Sequence, residues 1–255
     1  MGKTKNKVFA IINNKGGVGK TTTALNLGRA LSLQKRKVLV IDFDPQESLS
    51  SFIPDDLKST THDISKVLSR EKMEIPIVPI TKNFHMVPTT WELENVITDL
   101  EKDVNGYFRL QEILSNIVDD YDFIIIDCRP SLDILTLNAM MAANSLIIIV
   151  NATALAVMAI PKVIEIKEQV SERLNPELNI LGLLVTAYNG NTAIQKLKME
   201  ELKETYGDFV FKSVIRHRVV FQESAHTGQS VFDYDRKSDG SKDYAALAKE
   251  ILKMH

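Results

Sequence analysis

The stretch Asn13-Asn14-Lys15-Gly16-Gly17-Val18-Gly19-Lys20-Thr21-Thr22-Thr23 sets three glycines, two lysines and three threonines between an apolar run and a helix-like run. Glycines at 16, 17 and 19 let successive backbone N–H groups curl around phosphate oxygens without interference from a Cβ. A helix beginning at this point adds the partial positive charge of its N-terminus. In that setting Lys20 reaches the β- and γ-phosphates, the Thr21 hydroxyl ligates Mg²⁺, and Val18 and Thr22 complete the cradle. The ligand expected is therefore ATP with Mg²⁺. One residue departs from the usual spacing: a glycine normally stands five positions before the second glycine, and here Asn14 stands there with Lys15 after it. Two lysines in one loop repel each other unless anionic phosphates neutralise both. Lys15 either points toward a nucleotide held by another chain or is an ordinary solvated lysine.

Two carboxylate-bearing runs accompany the loop. In Val38-Leu39-Val40-Ile41-Asp42-Phe43-Asp44-Pro45-Gln46, the two acids fall on one side of an extended chain. Asp44 can reach the Mg²⁺ shell or an attacking water, whereas Asp42 is expected to be a structural partner of the loop. Phe123-Ile124-Ile125-Ile126-Asp127 ends in a single acid, the pattern of a second carboxylate on the magnesium side. Its alternative role is to cap the following helix. His62, His85, His217, His226 and His255 are scattered, without metal-ligand spacing.

The elements that must position these groups follow from the hydrophobic pattern. Val8–Ile12, Val38–Asp42, Phe123–Asp127, Leu146–Val150 and Ile180–Thr186 are apolar nearly throughout, which means burial on both faces, as in a parallel sheet covered by helices. Phe84–Val87 and Phe209–Ile215 are weaker strand candidates. Helix-like segments lie near Thr21–Leu33, Trp91–Leu100, Tyr107–Val118, Ser131–Ala142, Ala156–Leu174, Ala193–Tyr206 and Ser241–Lys253. The proline-bearing stretch Pro45–Pro88 is expected to hold loops and short helices. Alternation of this kind predicts an α/β fold: a doubly wound, mostly parallel sheet with helices on both faces, formed by residues 1–255 as a single domain. Ligands in such sheets sit beyond the carboxyl ends of the strands, so the residues after Ile12, Ile41 and Ile126 should converge.

Bulk composition narrows the function classes. With 31 Lys and Arg against 33 Asp and Glu, the net charge is −2, which argues against a generally basic nucleic-acid coat and leaves room for a local basic patch. A single cysteine, Cys128, excludes an internal disulfide framework and a cysteine metal cluster held by one chain. No apolar run approaches the roughly 18 residues of a membrane span, so a cytoplasmic protein with no membrane partner is expected.

Taken together, these motifs resemble the ParA/Soj family of partition ATPases, within the wider MinD-type class of P-loop NTPases with a deviant phosphate loop. Lys15-Gly16-Gly17-Val18-Gly19-Lys20-Thr21-Thr22 is similar to the deviant loop with its signature lysine. Asp42-Phe43-Asp44-Pro45-Gln46 resembles the first switch of the family, and Asp127-Cys128-Arg129-Pro130-Ser131-Leu132 the second. Leu135-Thr136-Leu137-Asn138-Ala139 and Leu181-Gly182-Leu183-Leu184-Val185-Thr186 fit as well. The resemblance covers nearly the whole chain. It implies an ATP-dependent homodimer in which Lys15 contacts the phosphates of the partner copy, Asp44 positions or activates water, and Asp127 supports Mg²⁺ through water. It also implies slow hydrolysis stimulated by a ParB-like activator, non-specific DNA binding by the ATP dimer, and nucleoid association in that state.

Four departures qualify that picture. Arg129 stands where the family typically has a proline, and could pair with Asp127, touch phosphate or face solvent. Thr153-Ala154-Leu155-Ala156-Val157 lacks the family's Glu-Tyr-Tyr-Ala-Leu pattern. Ile215-Arg216-His217-Arg218-Val219-Val220 replaces a stretch whose Pro and Asn frame the adenine, so base recognition is expected around Arg216 and Arg218. The family's DNA-contacting arginines fall at Asn191 and Val220, neither of them basic. The substitutes available are Arg216, Arg218, Lys196, Lys198, Lys203, Lys212, Arg236, Lys237 and Lys242.

Overall fold

Apolar runs that are buried on both faces can form only the interior of a covered sheet, and the computed structural model shows one. It describes residues 7–58, 61–151, 159–190 and 192–254. The strands are β1 (Lys7–Ile12), β2 (Val38–Phe43), β3 (Val78–Thr81), β4 (Phe84–Val87), β5 (Phe123–Cys128), β6 (Ser145–Asn151) and β7 (Asn179–Thr186). They lie in the order β3-β4-β2-β5-β1-β6-β7. Every neighbouring pair is parallel except β3 and β4, so the sheet is mostly parallel as expected.

Side chains alternate along each strand and so feed two cores. Val8, Ala10 and Ile12 join Leu39, Ile41, Ile124 and Ile126 on one face. Phe9 and Ile11 join Val38, Val40 and Ile125 on the other. The first face is covered by α4 (Leu93–Lys102), α5 (Arg109–Ser115), α6 (Ile134–Ala142), α7 (Ile160–Arg173) and α8 (Ala193–Tyr206). The second is covered by α1 (Lys20–Leu33) and α11 (Asp239–Lys253). Helix α1 sits so close that a Cβ on Gly28 would lie 2.6 Å from Val40 and 2.9 Å from Phe84. The C-terminal helix is anchored to α1 by the buried contact of the Thr23 and Tyr244 hydroxyls at 3.1 Å. Among the described residues no helix is long and apolar enough to cross a membrane.

Three sequence expectations are corrected. Tyr107–Val118 is not one helix: α5 ends at Ser115, flanked by 3₁₀ turns at Gly106–Phe108 and Val118–Asp120. The start of α5 is fixed by Asn138, whose side chain accepts from the Leu110 N–H and donates to the Gly106 carbonyl. Phe209–Ile215 is not a strand: it meets β7 at an isolated bridge between Leu183 and Val210, and its Phe211 and Ile215 N–H groups donate to the Leu183 and Val185 carbonyls at 3.0 and 2.9 Å. Its Lys212 and Ser213 N–H groups donate to the Glu250 carboxylate, away from the ladder. Within Pro45–Pro88, the short helices α2 (Asp55–Lys58) and α3 (Ile64–Leu68) appear as expected, but β3 was hidden by Pro79. Proline is tolerated there because β3 is an edge strand. The run 153–157, Asn191 and the start of the helix expected from Ala156 lie outside the described residues.

Candidate functional site

The phosphate loop is a backbone device, and its side chains serve to hold the backbone. Where β1 ends, the buried Asn13 side chain donates to the Ile149 carbonyl at 2.6 Å and accepts from the Lys15 N–H at 2.8 Å. Gly17 and Gly19 adopt φ of 70° and 94°, left-handed values at which a Cβ is strained. At the end of β7, the Thr186 hydroxyl donates to the Val18 carbonyl at 2.6 Å, tying the loop to a third strand. Lys20 opens α1, is buried, and donates to the Lys15 carbonyl at 2.9 Å. Burial lowers its pKa, while the nearby Asp127, Cys128 and Asp44 groups pull it back up. An ammonium has three donors, so Lys20 retains capacity for phosphate oxygens.

Above the loop lies an open cleft of about 570 Å³. Gly16, Gly17, Gly19, Lys20, Thr21 and Thr22 line it from the loop, Asp44, Gln46, Ser48, Ser51 and Phe52 from the chain after β2, together with Pro130 and Ala225. Asp44 accepts the Gln46 N–H at 3.1 Å, a local turn that keeps its carboxylate at the cleft. Asp42 is turned inward. One of its oxygens accepts from the Ser50 N–H and hydroxyl at 2.6 and 2.7 Å, and the other from the Asp44 N–H at 3.3 Å. Its structural role is therefore to shape the segment after β2. Burial pushes its carboxyl up to about 7.

Asp127 pairs in register with Asp42 across β2 and β5, so two buried acids stand side by side. Both Asp127 oxygens are buried without a hydrogen-bond donor in good geometry. Its carboxyl is raised well above the usual range, first by burial and then by Asp42, with the Thr21 hydroxyl and Lys20 acting against this. It does not cap the following helix: that position belongs to Asp133, which accepts from the Leu135 and Thr136 N–H groups. An orphaned buried carboxylate beside a hydroxyl and an exposed-edge acid fits a hard divalent cation. Among the described residues no three His, Cys, Asp or Glu side chains form a metal cage of their own. Such an ion would have to take most of its oxygens from phosphate and water, as Mg²⁺ does.

Lys15 is exposed at the loop, and its backbone is engaged by Asn13 and Lys20. Arg129 does not pair with Asp127: its guanidinium lies 3.0 Å from Glu94 and 3.3 Å from Asp133. Arg216 grips Asp243 with Nε and Nη2, the shortest contact being 2.6 Å, and Arg218 lies 3.7 Å from Asp239. Both face α11, and neither lines the cleft. Sequence reasoning missed Ser50, Thr186 and Glu94. Thr186 carried a signal, a hydroxyl ending an apolar strand; Ser50 and Glu94 act through partners distant along the chain.

The comparisons with known proteins agree with this geometry. A family model described as an AAA domain matches residues 6–180. The chain is 33% identical over 252 residues to the chromosome-partitioning ATPase Soj of Treponema pallidum, covering 99% of this chain and 98% of that protein. It is 34% identical over 247 residues to the sporulation initiation inhibitor protein Soj of Bacillus subtilis, covering 96% and 98%. Among solved structures, a Mycobacterium smegmatis protein described as a cobyrinic acid a,c-diamide synthase, with bound ADP and magnesium, superposes with a TM-score of 0.84 at 28% identity over 97% of this chain and 94% of that one. With the loop, its two carboxylate strands and these full-length relatives in agreement, the chain belongs to the ParA/Soj family of partition ATPases, within the MinD-type class.

Proposed function

We propose that residues 1–255 act as one ATPase domain that binds ATP with Mg²⁺, closes as a homodimer on ATP, and opens on slow hydrolysis. The observation that carries this is the meeting of Lys20, Thr21 and the orphaned Asp127 carboxylate at a glycine-shaped loop, all at the carboxyl ends of adjacent strands. The ADP and magnesium in the Mycobacterium smegmatis relative support the same ligand pair. Lys20 and the loop N–H groups hold the phosphates; Thr21, with Asp44 and Asp127, holds Mg²⁺, which supplies charge neutralisation at the transferring phosphoryl group. Asp44 orients or activates the attacking water. Lys15 reaches the phosphates of the partner copy, which is consistent with its exposure at the loop. A ParB-like protein then stimulates hydrolysis, and the ATP dimer binds DNA without sequence preference and so associates with the nucleoid.

A second reading, positioning of a protein cargo with weak DNA affinity, is favoured by one observation. Of the nine cations available to replace the missing arginines, four are already in ion pairs: Arg216, Arg218, Lys198 and Lys242. Lys196, Lys203, Lys212, Arg236 and Lys237 are exposed. Non-specific affinity scales with the phosphates neutralised, so this count matters. DNA binding measured across salt with ATP, ADP and no nucleotide separates the readings. ATP-gated binding that weakens steeply with salt supports partition; no ATP-dependent binding at low salt removes DNA and leaves the cargo reading.

A further inference from the structure

Two chain segments bound the metal side of the cleft, one leaving β2 after Asp42 and one leaving β5 after Asp127. Both are tied to the same short stretch, residues 89–94. On the β2 side the Thr89 N–H donates to the Ser50 hydroxyl oxygen at 2.9 Å, and the Trp91 N–H to the Glu47 carboxylate at 2.8 Å. Ser50 in turn donates to Asp42. Glu47 holds φ at 57°, an uncommon value for a residue with a Cβ, and its N–H donates to the Asp44 carbonyl at 3.0 Å. On the β5 side Glu94 lies 3.0 Å from Arg129, which also lies 3.3 Å from Asp133. Asp133 caps α6 and accepts the Ser131 hydroxyl at 2.7 Å. The stretch is itself braced from behind, because Lys66 of α3 lies 2.6 Å from Glu92.

We propose that residues 89–94 form a yoke coupling the Asp44 segment to the Asp127–Ser131 segment, with Glu94 and Arg129 as positioning residues for Mg²⁺-dependent turnover. The inference rests on the nucleotide-site reading above. Two carboxylates on separate segments are productive only when held to within about 0.5 Å of each other's working geometry. A shared anchor makes a movement of one segment a movement of both, so closure around the γ-phosphate on one side is transmitted to the other. A proline at 129 would restrict the backbone alone. Arginine adds a side-chain tether, and its side chain is only 20% exposed, which limits solvent screening on that half of the pair.

The chain carries a single tryptophan, Trp91, which lies on the yoke and is 64% exposed, so its fluorescence reads this stretch directly. The wild-type emission should change when ATP and Mg²⁺ bind. In Arg129→Ala, a fluorescent ATP analogue should bind within about twofold of wild type, while kcat falls about fivefold, the upper end for one lost, partly exposed ion pair, and the Trp91 response disappears. Arg129→Lys should restore most of both. Glu94→Ala should reproduce the loss, and the double variant should be no worse than the poorer single one. Glu94 is 57% exposed, so Glu94→Gln offers a well-folded check, with thermal melts run beside it. Unchanged kcat and Trp91 response in Arg129→Ala, or losses that multiply in the double variant, would overturn the yoke. Failure of the wild type to bind ATP would instead remove the nucleotide-site reading, and the yoke with it.

Discussion

The phosphate-loop end and the Arg216–Arg218 edge both carry charges that sequence reading assigned to the nucleotide, yet the two regions treat those charges in opposite ways. At the loop, Lys20 and Asp127 are buried, the Lys20 ammonium bonded among the described residues only to the Lys15 carbonyl and both Asp127 oxygens without a hydrogen-bond donor in good geometry. At the edge, Arg216 is held by Asp243, itself largely buried, and Arg218 lies near Asp239. A buried charge left without its full complement of partners costs stability and persists where a ligand completes it; a charge with an internal carboxylate is already accounted for. The first arrangement is that of a binding site. The second, at Arg216, is that of a brace between the 215–218 segment and α11; Arg218, 3.7 Å from Asp239 and with its Nε buried and unpartnered, is held more loosely.

The largest effects should come from the loop end. Lys20→Ala should lower turnover by about 10²-fold or more, the scale of losing a charged phosphate donor in a water-poor site. Asp44→Ala should still bind ATP through the phosphate loop and lose about 10²-fold or more in kcat, since the positioning or activation of water and one carboxylate on the Mg²⁺ side are removed together. Steady-state kinetics with a parallel binding titration checks both; ordinary turnover in either variant would dissolve the contrast.

At the edge the cost should appear in stability. Arg216→Ala strands Asp243 and should cost about 1–3 kcal/mol, read as a lower urea midpoint. The KM for ATP should stay within about twofold. A large rise in KM with unchanged stability would return Arg216 to the nucleotide. Arg218→Ala, with its longer and more exposed contact, should shift stability by no more than about 0.5 kcal/mol.

A pH dependence sharpens the comparison further. Burial raises the Asp42 carboxyl to about 7 and the Asp127 carboxyl well above its usual range. A native state that holds protons the unfolded chain has released loses stability as pH rises. The ligand-free chain should therefore weaken from the ordinary carboxylate range, about pH 4, toward about pH 7. Asp127→Asn should flatten that slope in urea melts across pH, and an unchanged slope would mean the buried acids are not responsible.

How much of this was legible in the sequence depended on how local the cause was. Gly17 and Gly19 announce themselves because positive φ needs glycine, and the strands ending at Asp42 and Asp127 because burial on both faces demands unbroken apolar runs. Ala193–Tyr206 could be read to the residue from its periodicity. The failures were tertiary. Val78–Thr81 is a strand because an edge position tolerates Pro79, and Phe209–Ile215 is not one because Glu250 takes the Lys212 and Ser213 N–H groups out of the ladder. Arg129 lies 35 positions from Glu94, beyond what spacing can suggest. The same holds for Arg216 and Asp243: a cation in a basic loop says nothing of a carboxylate 27 positions further on.

The central claim is that the loop-end cleft is completed by ATP with Mg²⁺ and by a second copy of the chain. Sedimentation of the Asp44→Ala protein, with hydrolysis slowed, tests this most directly. It should run as a dimer with ATP and Mg²⁺, as a monomer with ADP, and as a monomer with bound ATP when Lys15→Ala is added. A protein that binds ATP and Mg²⁺ yet remains monomeric with Lys15 intact, or that dimerises equally well without Lys15, would contradict it.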